Sequence, residues 1–235
     1  MDSIYTRTKL IYGDKIESIK ESTVMVVGIG GVGSYAAEAL ARTGVGKLIL
    51  VDKDKIDITN INRQIHALHS TVGKEKVDVM KDRILDINPS CKVHTINVFE
   101  LNDAFSLIPE CDFVIDAIDT ITNKIKLIKK CLMENVRFIS SMGAGNKVDP
   151  TMFQIADISK TEYDPIARII RQKLRKERVK GKVPVVYSKE VPRKISKAFE
   201  NFEDRSMLPP PGSNAFVPSV VGLIAASYAI KCITE

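Results

Sequence analysis

Along the first 150 residues, short apolar runs alternate with stretches whose apolar positions recur every three to four residues. Thr23–Val27 is a β-branched apolar run that ends in glycines, and Lys47–Val51 is a second such run that ends at Asp52. Between them Ser34–Thr43 has helical spacing and is closed by Gly44. A further helix is predicted over Lys74–Ile87, where Val77, Met80, Ile84 and Ile87 share a face and Pro89 follows. Lys92–Val98 and Asp112–Ala117 read as strands, Ile121–Asn135 as an amphipathic helix, and Arg137–Ser141 as a fifth strand. This βαβ rhythm predicts a Rossmann-like, doubly wound, mostly parallel α/β sheet with right-handed crossovers.

After Pro150 the rhythm changes. Thr151–Ile158 and Val183–Lys189 look like strands on either side of a basic helix, Ile166–Val179, and either extend the sheet or form a flap. Glu190–Pro211, charged and then proline-rich, reads as a crossing loop. The expected organisation is one domain: a helical N-terminal arm over 1–22, a nucleotide-binding core over 23–150, and an elaborated C-terminal third over 151–235.

Charge changes this picture in one place. The 235-residue chain carries a formal charge of +6, yet residues 160–205 alone hold 14 Lys/Arg against 7 Asp/Glu. The excess is therefore local, which suits either an anionic partner or a solvated helix face. The 44% hydrophobic and 27% charged composition excludes a disordered chain. The cysteines at 91, 111, 131 and 232 form no C-x-x-C pair, so neither a zinc ribbon nor a disulfide framework is expected. Met1–Lys20 shows no apolar signal region, and a cytoplasmic location with free thiols is expected. Ser206–Ile230 contains no charged residue and reads either as a buried C-terminal helix or as a membrane segment.

The candidate chemistry begins at Gly28-Ile-Gly30-Gly31-Val-Gly33-Ser34. A strand that runs through glycines into a helix points backbone N–H groups and a positive helix end at a phosphate. Asp52 closes the next strand, where a carboxylate can bind ribose hydroxyls. No Gly-Lys-Ser/Thr follows the loop, so it is not a Walker A motif. Taken alone, the loop would suggest a dinucleotide oxidoreductase. The next cluster argues otherwise: Asp54, Asn60, Asn62, Arg63 and Gln64, with Lys76 on the following helix. Arg63 offers a planar fork for phosphate oxygens, Asn60 and Gln64 can bond phosphate or orient that arginine, and Lys76 can act as a point charge. Asp119 lies beyond the fourth strand, at the carboxyl end of the sheet, where a carboxylate can hold Mg²⁺ between phosphates. Together these residues suit a triphosphate with its metal.

These motifs resemble the adenylating domain of the ubiquitin-activating superfamily, with its molybdopterin- and thiamine-biosynthesis members. The similarity covers roughly residues 5–150, including the leading Tyr5-Thr-Arg7. It implies that Asp52 binds the ribose, that Arg63 and Lys76 bind phosphates, and that Asp119 binds Mg²⁺ and the reacting phosphate. It also implies that Arg7 reaches the nucleotide site of a partner protomer, which requires a homodimer. Within the superfamily, the helix segment 36–44, Asn62-Arg-Gln-Ile-His-Ala-Leu68, Gly143-Ala-Gly145, Asp157-Ile-Ser-Lys-Thr161 with Asp164-Pro165, and the Val217-Pro218 tail are similar to tRNA threonylcarbamoyladenosine dehydratases.

That resemblance implies ATP-dependent activation of the threonine carboxylate on tRNA, followed by intramolecular ring closure with loss of water. The resemblance implies AMP and pyrophosphate as the products, and the residues by themselves leave ADP formation open. No cysteine nucleophile is needed, and a sulfur-relay protein is a further partner in keeping with the family. Arg168, Arg171, Lys173, Arg175, Lys176 and Arg178 then become candidates for an RNA backbone track. His66 either touches substrate or belongs to a structural helix face. The rival readings are adenylation of a ubiquitin-like sulfur carrier, a non-catalytic nucleotide-binding scaffold, and the oxidoreductase.

Overall fold

The computed structural model describes residues 4–97, 102–194 and 211–235. Most of the expected crossing segment 190–211, and Val98 of the expected third strand, lie outside these residues. Seven strands form one sheet: β1 (Thr23–Val27), β2 (Lys47–Val51), β3 (Lys92–Ile96), β4 (Phe113–Asp116), β5 (Phe138–Ser141), β6 (Phe153–Asp157) and β7 (Pro184–Ser188). Their order is β3-β2-β1-β4-β5-β7-β6, all parallel except the β6–β7 pair. The two late strands therefore extend the sheet, and the antiparallel β6 closes its edge.

Helices cover both faces. α3 (Gly33–Thr43), α4 (Lys76–Ile87) and α8 (Val217–Thr234) belong to one core layer, with Leu40, Met80 and Val221 fully buried there. On the other face, α6 (Ile121–Met133) and α7 (Pro165–Lys176) bury Ile128 and Ile170. The sheet interior is continuously apolar, as both-face burial requires, and Val24–Val27 and Leu48–Val51 are all buried. Two short helices, α1 (Thr6–Tyr12) and α2 (Ile16–Glu21), form the arm, and α5 (Asn102–Ser106) is a helical turn that the hydrophobic pattern does not single out.

The uncharged tail forms α8. The helix is long and apolar enough to cross a membrane. Here it packs along α3, and Val217, Val221, Ala225, Ala229 and Ile230 are buried in the chain's own core. α7 begins one residue earlier than its pattern suggests because Pro165 fits the first helical position and Asp164 caps it, accepting from the Ala167 amide at 3.0 Å.

Candidate active site

The site is built at the carboxyl ends of β1, β2 and β4. Gly28 continues β1, and its amide donates to the carbonyl of Val51 at 2.7 Å. The amides of Gly30, Gly31 and Val32 have no acceptor among the described residues. Three unpaired donors at the start of α3, with the helix dipole behind them, form an anion-binding concavity. A Cβ placed at Gly30 would meet nothing closer than Gln64 Nε2 at 3.9 Å, so this glycine opens on space that a ligand can use. Gly33 is different, because a Cβ there would collide with the carbonyl of Gly28. At Gly31 the neighbours are Pro218 of α8 at 3.1 Å and Arg63 Cγ at 3.4 Å.

Asp52 ties the second strand to this loop. One carboxylate oxygen accepts the Ile29 amide at 2.6 Å and the other accepts the Asp54 amide at 2.9 Å. Burial pushes its pKa upward against the pull of Lys76. Lys76 is itself buried, with Nζ 2.9 Å from Asp54 and 3.9 Å from Asp52. The lysine is thus held by two carboxylates beside the loop, and Asp54 is first a partner of Lys76.

The Asn60–Gln64 cluster is a scaffold for Arg63. Asn60 is turned inward, where its Oδ1 accepts the Asp57 amide at 3.1 Å while Asp57 caps Thr59. Its carbonyl accepts the Arg63 amide at 3.1 Å, so Asn60 organises the turn rather than facing the loop's open space. Asn62 accepts from Arg63 Nη1 at 2.9 Å and donates to the Ser213 carbonyl. The half-buried Arg63 thus has one nitrogen anchored, to Asn62 and to the Thr59 carbonyl at 2.8 Å. Gln64 is buried, and its Oε1 has no partner among the described residues. His66 is 2% exposed with both ring nitrogens unpaired, and burial holds its pKa near 4. It is buried in a turn rather than on the helix face that the sequence suggests.

β4 supplies two carboxylates with different fates. Asp116 is fully buried and accepts from Ser140 Oγ at 2.5 Å, from Lys124 Nζ at 3.0 Å and from the Ile118 amide at 3.1 Å. Asp119 is exposed, and its described bond is from Thr120 Oγ1 at 3.1 Å. β4 abuts the loop, since a Cβ at Gly28 would come within 2.6 Å of the Ala117 carbonyl. Asp119 follows this junction by two residues and is exposed. No cluster of three or more metal-ligating side chains occurs among the described residues. A single carboxylate with phosphate oxygens is a usual setting for Mg²⁺, and Asp119 fits it.

Sequence reasoning missed two buried lysines. Lys124 pairs with Asp116, and desolvation lowers its pKa. Lys147 pairs with Asp164 at 2.9 Å and donates to the Gly143 carbonyl at 2.6 Å. Each pair is separated in sequence, by 8 and 17 residues, and carries no local signature.

The candidate RNA residues divide. Arg168, Lys173, Arg175, Lys176 and Arg178 are exposed along and just beyond α7. Arg171 departs from this set: its Nη1 donates to the Ile158 and Thr161 carbonyls at 3.1 and 3.0 Å and to Thr161 Oγ1 at 2.6 Å. It sits at the border of the helix's buried face and clamps the preceding turn. Arg7 is exposed on α1 and is not brought to this site. The arm docks through Tyr5, whose ring lies against Gly44 at the far end of α3. That end is ~16 Å from the glycine loop along an 11-residue helix. Cys91, Cys111 and Cys131 are buried with pKa values pushed up to about 11, 12 and 12, so none is poised as a thiolate.

Comparison with known proteins agrees with this geometry. The model for the ThiF family matches residues 5–235. The tRNA threonylcarbamoyladenosine dehydratase of Bacillus subtilis is 53% identical over 235 residues, covering 96% of this chain and 92% of the relative. The crystal structure of the Escherichia coli tRNA N6-threonylcarbamoyladenosine dehydratase in complex with ATP superposes with a TM-score of 0.85 at 37% identity, covering 97% and 93% of the two chains. The molybdopterin-synthase adenylyltransferase of E. coli is 34% identical, but over 65% of this chain and 63% of its own. The chain belongs to the ThiF family and, within it, to the tRNA threonylcarbamoyladenosine dehydratases.

Proposed function

We propose that the chain performs the ATP-dependent dehydration of threonylcarbamoyladenosine in tRNA to its cyclic form. The observation that carries this reading is the row of unpaired amides at Gly30, Gly31 and Val32, bordered by Asp52, Arg63, Lys76 and Asp119. That arrangement is an ATP site, and the similarity to dehydratases runs over 96% of the chain.

The glycine-loop amides and the α3 dipole take phosphate charge, Asp52 takes the ribose, and Arg63 and Lys76 neutralise the phosphates. The threonine carboxylate attacks the α-phosphorus and pyrophosphate leaves. The carbamoyl nitrogen then attacks the activated carbonyl, and AMP departs with the carboxylate oxygen, so one water is lost overall. Held on one nucleoside, the two reacting groups meet by proximity alone. Mg²⁺, held by Asp119 and phosphate oxygens, would offset the charge on the triphosphate.

The exposed cations of α7 bind the tRNA backbone. Arg7 acts across a homodimer, a reading supported by its distance from its own loop and by the exposed Leu10 and Ile11 (84% and 79%) beside it. The location is cytoplasmic, in keeping with four free cysteines.

The test incubates the protein with ATP, Mg²⁺ and modified tRNA and weighs the digested nucleosides. Loss of one water from the modified adenosine is expected. ATP turnover with an unchanged nucleoside mass would overturn the reading and favour adenylation of a sulfur carrier.

A further inference from the structure

At the opposite end of the sheet from the glycine loop, the start of β4, β5 and β7 borders a cavity of about 420 Å³. Its floor is aromatic. Phe113 and Phe138 are buried there, and the Tyr228 ring meets Phe113 edge-on at 6.0 Å and 73°. Its rim carries Arg137, Lys180 and Lys182, and none of its lining residues is acidic. Neither lysine forms an ion pair among the described residues. The Arg137 guanidinium is fixed over the floor by donating to the Cys232 carbonyl.

Three cations rim an apolar cavity whose most accessible ring is the half-buried Tyr228, and Glu235 is the acidic group that acts on that ring. A solvated basic loop has no use for the floor, and an apolar groove has no use for the cations. The combination suits a ligand with both a flat ring and a negative charge, which is the chemistry of a nucleotide.

The cations also continue those of α7. That helix is capped by Asp164, whose buried pair with Lys147 ties it to the segment after β5, and it runs to Lys176. Lys129 of α6 then holds Glu177 at 2.6 Å, and Gly181 packs against Leu132, so the loop that carries Lys180 and Lys182 is seated at the cavity. The strands between the two ends are four or five residues long, or ~13–17 Å. A polynucleotide can span that distance.

We propose that this cavity is a second contact for tRNA and receives one unstacked nucleotide. The base lies against the half-buried Tyr228 ring, and the phosphate lies among Arg137, Lys180 and Lys182. The assignment rests on the tRNA reading above and extends it to a site remote from the chemistry.

Two variants test it. Lys180→Glu/Lys182→Glu should weaken tRNA binding at least tenfold, flatten its log–log salt dependence by about two, and leave ATP affinity unchanged. Val136→Trp, at the cavity wall, fills the space without altering charge and should weaken tRNA binding severalfold. tRNA bearing photoreactive uridines should crosslink to the Tyr228 peptide in the parent protein and lose that crosslink in Val136→Trp. Parent-like tRNA affinity in Val136→Trp, or an absent Tyr228 crosslink with binding intact, would overturn the nucleotide assignment. If the cavity variants bind normally while charge reversal on α7 weakens binding, the cavity assignment alone fails. If α7 reversal is also silent, the tRNA reading itself fails.

Discussion

Lys147 and Asp164 face each other at 2.9 Å with neither side chain exposed. The pair locks the segment after β5 to the N-terminus of α7, because Asp164 also caps that helix. Removing one partner strands a charge in the core. Lys147→Met should cost about 3–5 kcal/mol of stability in urea unfolding. The double variant Lys147→Met/Asp164→Leu should recover part of that loss, less about 1 kcal/mol for the missing cap. A double variant less stable than Lys147→Met would contradict the pairing.

The glycines of the loop should separate fold from ligand. Gly33→Ala drives a Cβ into the Gly28 carbonyl and should yield little folded protein. Gly30→Val enters open space and should melt near the parent temperature while ATP affinity falls at least tenfold. Thermal unfolding and ATP titration of both variants check this; equal ATP affinity in Gly30→Val would remove the loop from the nucleotide site.

Asp119 is exposed and bonded within the described residues to Thr120 alone, so its loss should not disturb the fold. Asp119→Asn is expected to lower turnover by roughly 10²–10³, the usual cost of deleting one transition-state charge contact. Its unfolding curve should overlay that of the parent. Retained activity would reassign the carboxylate.

Reversal of Arg168, Arg175 and Lys176 to glutamate should lower tRNA affinity and its salt slope by about three while sparing ATP binding. Arg171→Ala should behave differently: it frees two carbonyls of the 158–161 turn and should register mainly as lost stability. Filter binding across a salt series, beside thermal melts, distinguishes the two roles.

His66 predicts a pH dependence of stability. Burial holds its folded pKa near 4, below its ordinary 6.5, so the folded state binds the proton less well than the unfolded chain. Its contribution is complete above pH 6.5 and is lost as pH falls toward 4, on the order of 3 kcal/mol. Because both ring nitrogens are unpaired, His66→Leu should cost little at pH 7.5 and should flatten this acid limb. An unchanged acid limb in urea unfolding would show that His66 is not the group responsible.

Much of the core was legible in the chain because its causes are local. A continuous β-branched apolar run, a helix with period 3.6, and a glycine loop between them mark β1, α3 and the turn that joins them. The places of Asp52, Arg63, Lys76 and Asp119 after those elements are also legible, while the roles expected of them come from the family resemblance. Other features depend on which surfaces meet. Only packing decides that β7 inserts beside β5 with β6 outside it, that the uncharged tail lies along α3 as α8, and that Asn60 braces a turn. In the sequence Lys124, Lys147 and Arg171 are three more cations among 35 basic residues. Tertiary structure makes two of them buried partners of distant aspartates and the third a clamp, because desolvation and hydrogen bonding act between residues that the chain order keeps apart.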